Sequence, residues 1–136
     1  MHKEKFIDGV RTVINRFEAQ ANVEASLRVV ERGPELTDRQ KVQVIFIIQE
    51  ALSNVRKHAR ASHVNVVVEN YDDLRVVVED DGVGIDEKLV ESRKGRHVGL
   101  SIMSERASRI GAEVTVERAS EEGGTRVVLF LAAKDR

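Results

Sequence analysis

The chain has 136 residues, 41% hydrophobic and 33% charged, which is the composition of one globular domain and excludes a disordered chain. Its 22 Lys and Arg residues nearly balance 23 Asp and Glu residues, so charge gives no argument for nucleic acid or a membrane surface as a partner. There is no cysteine, which excludes disulfides and cysteine-based zinc sites, and the longest apolar run is too short to span a bilayer. Finding no secretory signal, we expect these residues to be soluble and cytoplasmic, which is compatible with a longer parent protein anchored in the inner membrane.

Apolar residues recur at helical spacing in three segments, which predicts helices over residues 3–20, from about 37 to 59, and over 99–110. Thr37 or Asp38 can cap the start of the second helix. Gly111 follows the third helix at the position where a glycine commonly ends one. Residues 87–98, between the last two helices, are polar and lack a clear period, so we expect a loop there.

Five further segments alternate or are rich in β-branched residues, which predicts strands over 22–31, 63–69, 74–79, 113–118 and 125–131. The second and third strands form one predicted hairpin, and the last two form another. We therefore expect an α+β fold, a two-layer sandwich in which three helices cover one face of a mixed, mostly antiparallel sheet of about five strands.

The end of the second helix, read as QEALSNVRKHA, groups polar side chains at helical spacing. Glu50, Asn54, Lys57 and His58 stand at i, i+4, i+7 and i+8, so a regular helix places them on one face. An amide oxygen and a carboxylate suit Mg²⁺, and the two basic groups suit phosphate. The alternative is an ordinary solvated helix face with weak side-chain pairs.

A second motif, Asp80-x-Gly82-x-Gly84, directly follows a predicted strand. A carboxylate at the strand end can accept the exocyclic amine of adenine, whereas guanine presents an oxygen there, so such a site prefers ATP over GTP. Glycines let the backbone come close to a flat ligand. The alternative is a plain Asp-Gly turn.

Two glycine-containing segments complete the pattern. His97-Val98-Gly99-Leu100 opens a predicted helix, whose free backbone N–H groups suit phosphate. The alternative is that the glycine only gives flexibility at the helix start. Gly123-Gly124-Thr125 precedes the last strand, where glycines let the strand approach a nucleotide and Thr125 offers a hydroxyl, or where they form only a hairpin turn.

In this order, the four motifs resemble those of the GHKL ATPase superfamily. Residues 49–59, 80–86, 97–116 and 123–131 are similar to the nucleotide-binding boxes of the catalytic ATP-binding domain of bacterial two-component sensor histidine kinases, in the nitrate/nitrite-sensor subfamily. The resemblance covers about residues 23–133. It implies the GHKL ATPase fold, with ATP and Mg²⁺ as cofactors, and makes residues 87–98 the ATP lid.

The resemblance also implies roles for individual residues. Asn54 would hold the Mg²⁺ that bridges the phosphates, and Glu50 would assist it by orienting a water, so both are expected catalytic and metal residues. Asp80 would read the adenine amine. The full set of nucleotide-binding residues implied by the resemblance is Asn54, Lys57, His58, Asp80, Gly82, Gly84, Ile85, His97, Gly99, Leu100 and Thr125.

Two departures from the wider family stand out. His97 replaces a glycine that many histidine kinases carry in the second box. None of the four histidines stands in the setting of a phosphoacceptor histidine, which in the family lies on a dimerisation helix. We therefore expect residues 1–21 to be the end of a dimerisation region or linker and residues 22–136 to be the catalytic domain.

The resemblance further implies which molecules the domain meets. Its expected partners are ATP, the dimerisation domain that carries the phosphoacceptor histidine and, indirectly, a response regulator, with no nucleic acid and no membrane contact. Two alternatives stay open. The first is an anti-sigma-factor serine kinase of the same superfamily. The second is a degenerate nucleotide-binding module without transfer activity.

Overall fold

The computed structural model describes residues 3–82 and 100–136. Four expected nucleotide-binding residues (Gly84, Ile85, His97 and Gly99) and the expected ATP lid lie outside the described residues. The described elements are α1 (Lys3–Ala21), β1 (Glu24–Glu31), α2 (Asp38–Asn54), a π-helical turn (Val55–Ala59), β2 (His63–Asn70), β3 (Leu74–Asp80), α3 (Leu100–Ser108), β4 (Glu113–Ser120), β5 (Gly123–Leu131) and a 3₁₀ turn (Ala133–Asp135).

The five strands form one sheet in the order β1-β2-β3-β5-β4. β1 and β2 are parallel and are joined by the crossover through α2, while the other neighbours are antiparallel. The predicted α+β fold with a mixed, mostly antiparallel sheet is confirmed. β3 lies at the centre, where Asp80 pairs with Val64 of β2 on one side and with Thr125 of β5 on the other.

Strand alternation builds the core on one face of the sheet. Every second residue of the central strands is buried, including Val64, Val66 and Val68 of β2, which are fully buried. Apolar residues of the helices pack on this face, among them Ile48 and Leu52 of α2. At about 25 cal/mol per Å² of apolar surface, this burial is the main stabilising contribution to the fold.

Helix α1 is a full member of this core. Phe6, Val10 and Phe17 are each at most 5% exposed and belong to the same hydrophobic cluster as α2 and the sheet. Gly9 allows α1 to approach α2 closely, because a Cβ there would lie 2.9 Å from Ile45 Cδ1. Residues 3–21 therefore fold together with the rest of the chain, and their origin in a dimerisation region remains a prediction.

The first predicted strand begins two residues too early. Asn22 has a left-handed backbone, with φ of 56°, and its N–H donates to Glu18 O at 3.2 Å. It therefore ends α1 in the manner of a helix-terminating asparagine, and β1 starts at Glu24. The predicted cap of α2 is present at Thr37, which forms a reciprocal capping box with Gln40.

The second helix does not continue as a regular α-helix to residue 59. After Asn54 the backbone widens into the π-helical turn Val55–Ala59. Arg60 then adopts a left-handed conformation, with φ of 53° and ψ of 41°, which turns the chain towards β2. A non-glycine residue in this conformation and a π turn both mark local strain, and such features often occur at functional sites.

Truncating Phe17 tests whether α1 belongs to the core. We expect Phe17→Ala to lower the free energy of unfolding by about 3–5 kcal/mol, because it removes a buried ring and leaves a cavity. Urea denaturation measures the change, with Arg11→Ala on the exposed side of α1 as the control. A loss no larger than that of the control would mean that α1 is only an appended helix.

Candidate functional site

One cavity lies where the end of α2 meets the ends of β3 and β5. Asn54 and His58 line it from the helix side, Asp80 and Thr125 from the strands, and Met103 from α3. Apolar side chains form the remaining walls, which comprise Ala51, Val55, Ala59, Val78, Val116 and Val127. The structure thus brings together residues from all four motifs, which are far apart in the sequence.

Two of the four polar residues singled out at the end of the second helix line this cavity. A π turn has more residues per revolution than an α-helix, so each residue advances by a smaller angle. His58, which is itself exposed, lines the cavity with Asn54, whereas the exposed Lys57 is not among the lining residues. Glu50 is partly exposed and does not line the cavity either. Of the four residues expected on one face, two thus line the cavity, and the roles of Glu50 and Lys57 remain predictions.

Asp80 carries a buried carboxyl group at the end of the central strand, with 5% of the residue's surface exposed. Burial raises its pKa above 3.8, and the nearby charges of Asp81 and Glu79 add to this, while N–H groups of Gly82 and Thr125 partly oppose it. Its Oδ1 accepts the Gly82 N–H at 2.8 Å. A carboxylate has about four acceptor positions, so Asp80 keeps capacity for a donor inside the cavity.

The glycines around Asp80 have a packing role that the sequence analysis missed. A Cβ at Gly82 would lie 2.0 Å from the backbone oxygen of Ala59, and one at Gly124 would lie 2.4 Å from the backbone oxygen of Asp80. Gly124 also has a φ of 81°, and its N–H donates to Gly82 O at 2.8 Å. Both glycines thus let backbone approach backbone, and their contact with a nucleotide stays a prediction.

The first described residue of α3, Leu100, is partly buried and opens that helix as expected. Gly111, with φ of 75°, follows the helix as expected. Met103 is fully buried on α3 and lines the cavity. From the sequence, Met103 is predictable only as an apolar residue of the helix over 99–110, because spacing along one helix does not show which core residues face a cavity.

Asp81 is a further residue that sequence reasoning missed. Its carboxylate accepts hydrogen bonds from Ser62 and His63, and these bonds lower its pKa below 3.8. The signal in the sequence is the second carboxylate directly after Asp80, together with a serine at the start of the neighbouring strand. Among the described residues no group of three or more His, Asp and Glu side chains could hold a metal ion. No helix within residues 3–82 and 100–136 is long and apolar enough to cross a membrane.

With this geometry in place, comparison with known proteins gives the family. Residues 37–135 match the family described as histidine kinase-, DNA gyrase B-, and HSP90-like ATPase, and the chain belongs to that family. The resemblance to the catalytic domains of sensor histidine kinases is thereby confirmed.

Among the relatives in this family are nitrate/nitrite-type sensors. The chain is 31% identical over 124 residues to the sensor protein NarQ homolog of Haemophilus influenzae, covering 90% of this chain and 21% of that protein. It is 38% identical over 91 residues to the nitrate/nitrite sensor protein NarX of Escherichia coli K12, covering 66% of this chain and 14% of NarX. The chain therefore spans well under a third of the length of these two relatives.

Solved structures show the same fold. The catalytic domain of the histidine kinase ThkA superposes with a TM-score of 0.73 at 17% identity, covering all of this chain and 97% of that one. The ATP-binding domain of PrrB from Mycobacterium tuberculosis gives a TM-score of 0.72 at 22% identity, covering 92% of this chain and 91% of that one. The expected fold, three helices on a five-stranded mixed sheet, is that of histidine kinase catalytic domains.

The raised pKa of Asp80 predicts a cost of keeping this residue ionised. Because the folded-state pKa lies above the ordinary value, the fold favours the protonated form of Asp80. This contribution to the free energy of unfolding is fully present below pH 3.8 and is lost as the pH rises through the folded-state pKa. At pH 7 we expect Asp80→Asn to unfold at a higher urea concentration than the wild type, since the amide still accepts the Gly82 N–H without a buried charge. The advantage should shrink as the pH is lowered towards 3.8, and an advantage independent of pH would contradict the assignment.

Proposed function

We propose that this domain binds Mg-ATP and passes the γ-phosphoryl group to a histidine on a separate dimerisation domain, as a sensor histidine kinase in two-component signalling. The observation that supports this most is the cavity itself. It places a buried carboxylate, Asp80, opposite an amide and an imidazole, Asn54 and His58, with apolar walls between them. A flat base with a polar edge and a charged tail suits such a site.

Asp80 would bind the base. Its free acceptor positions can take the exocyclic amine of adenine, whereas guanine would turn an oxygen towards the carboxylate. The cavity has a volume of about 30 Å³, far smaller than the pockets that hold small ligands, so we expect its walls to move when a purine binds. Met103 is the wall residue that we expect to move, because its unbranched side chain has several rotatable bonds.

The end of the second helix would bind the phosphates. The amide oxygen of Asn54 is a hard donor of the kind that Mg²⁺ takes together with phosphate oxygens, and Glu50 stands one turn earlier on the same helix. Mg²⁺ neutralises phosphate charge, which is the main requirement of phosphoryl transfer. His58 at the cavity and the exposed Lys57 would supply further positive or hydrogen-bonding groups for the phosphate tail.

The phosphoacceptor histidine would come from the dimerisation domain of the parent protein, and a response regulator would receive the phosphoryl group afterwards. The relatives support this because they are sensor proteins far longer than this chain. We extend the proposal to a parent anchored in the inner membrane with this domain in the cytoplasm.

Calorimetric titration of the chain with ATP, with and without Mg²⁺, tests the proposal, and GTP serves as the control ligand. We expect saturable binding of ATP that Mg²⁺ strengthens and little binding of GTP. Absence of ATP binding to a folded sample would refute the proposal and leave a degenerate module of the same fold.

Asn54→Ala tests the metal role. We expect the fold to be retained and the Mg²⁺-dependent gain in ATP affinity to be lost, because the substitution removes an oxygen donor at the cavity and not a core side chain. Gln49→Ala is the matched control, since it removes an exposed amide of the same helix that lines a different surface, between α1 and α2. An Asn54→Ala protein that binds Mg-ATP as the wild type does would exclude Asn54 as a metal ligand.

Asp80→Asn tests the reading of the base. An amide can donate as well as accept, so we expect the amide N–H of the variant to donate to the guanine oxygen and the preference for ATP over GTP to fall by about tenfold or more. Competition binding with both nucleotides gives the ratio. If the variant discriminates against GTP as strongly as the wild type does, Asp80 does not read the base.

A further inference from the structure

The cavity has two halves, the helix end that carries Asn54 and His58 and the strand end that carries Asp80. Asp81 joins these halves through the short connection that follows the second helix. Its Oδ1 accepts the N–H groups of Ser62 at 2.9 Å and His63 at 3.0 Å, and its Oδ2 accepts the Ser62 hydroxyl at 2.7 Å. Its own N–H donates to His63 O at 3.2 Å. One exposed residue thus forms four hydrogen bonds to two consecutive residues.

Those two residues stand directly after the helix end that carries Asn54 and His58. The π turn ends at Ala59, Arg60 turns the chain in a left-handed conformation, and Ser62 is reached two residues later. The connection between the π turn and β2 is therefore three residues long, and its last residue, Ser62, is hydrogen-bonded to Asp81. On the other side, Asp81 follows Asp80 without an intervening residue, so the same contact starts from the base-binding strand.

The neighbouring residue strengthens this junction from the same side. Gly82 packs against Ala59, the last residue of the π turn, so closely that a Cβ would lie 2.0 Å from its backbone oxygen. The three residues Asp80, Asp81 and Gly82 thus have three separate tasks. Asp80 lines the cavity and Asp81 accepts hydrogen bonds from Ser62. Gly82 contacts Ala59.

We propose that Asp81 is a positioning residue that fixes the helix end carrying Asn54 and His58 relative to the strand end carrying Asp80. The inference rests on the proposed function, because it assigns the base to Asp80 and the phosphates to the helix end. A ligand that contacts both halves gains affinity only when their separation is fixed in advance, since otherwise binding must order them. A ligand that contacts only the base half gains nothing from Asp81.

Comparing ATP with adenosine in Asp81→Ala therefore tests the proposal. We expect the dissociation constant for Mg-ATP to rise by about tenfold, while that for adenosine changes by less than about twofold, because only ATP spans both halves. Calorimetry measures ATP and NMR titration measures the weaker adenosine. Unchanged ATP affinity in the folded variant, or an equal loss for both ligands, would overturn the coupling role.

Two further variants separate positioning from a general structural role. Asp81→Asn keeps the acceptor for the two N–H groups and can donate to the Ser62 hydroxyl, so it should restore ATP affinity to within about twofold of the wild type. Asp73→Ala is the matched control. It removes a carboxylate that caps the Ala133 N–H at 2.7 Å just before the opposite end of β3, and it should lower the melting temperature without changing ATP affinity.

If Asp81→Ala does not fold, Ser62→Ala takes its place, because it deletes only the hydroxyl contact. It should weaken ATP binding by a factor of about two to five and leave adenosine binding unchanged. Equal effects on both ligands would again overturn the proposal. Failure of the wild-type chain to bind ATP is a separate outcome that refutes the proposed function itself, so the two failures are distinguishable.

Discussion

The close contact between the chain that leaves the second helix and the end of β3 is the constraint on which the candidate site depends. Backbone meets backbone there, with Gly82 against Ala59 and Gly124 against Asp80. Any side chain at either glycine would displace main chain and not merely another side chain. Because helix and strand approach so closely, an amide from one and a carboxylate from the other can line a single small cavity.

This arrangement carries local costs that the core offsets. A carboxylate is buried with its pKa raised, a non-glycine residue stands in the left-handed region, and a π turn interrupts regular helical hydrogen bonding. Each of these features is unfavourable by itself, and together they lie within a few residues of one cavity. The alternating valines of the central strands and the buried stripe of α2 lie outside this cluster and follow ordinary packing rules. Such a division between a regular core and a strained site is typical of proteins in which function limits stability.

The same division explains what could be predicted from sequence. The strands were predictable because one sheet face is buried and the alternation is strong, and the Thr37 cap was predictable because its chemistry is local. The π turn could not be predicted, because nothing in the sequence VRKHA indicates a turn wider than the regular 3.6 residues. The contact of Gly82 with Ala59 and the bonds of Asp81 to Ser62 depend on strand register. Register is a tertiary property, so neighbouring residues in the sequence do not reveal it.

Strand alternation also explains why Asp80 keeps its acceptor capacity. Successive residues of a strand face opposite sides, so Glu79 lies on the open face of the sheet and Asp80 on the cavity face. On the open face Arg126 pairs with Glu79 at 2.7 Å and with Glu117 at 2.8 Å, which raises the pKa of Arg126 and links β3, β5 and β4. Exposed pairs of this kind add little stability, but they occupy the guanidinium of Arg126 on the side away from the cavity. Among the described residues, no ion pair neutralises Asp80. The carboxylate therefore remains an acceptor at the end of the central strand, and the energetic cost of burying it is what a bound donor would relieve.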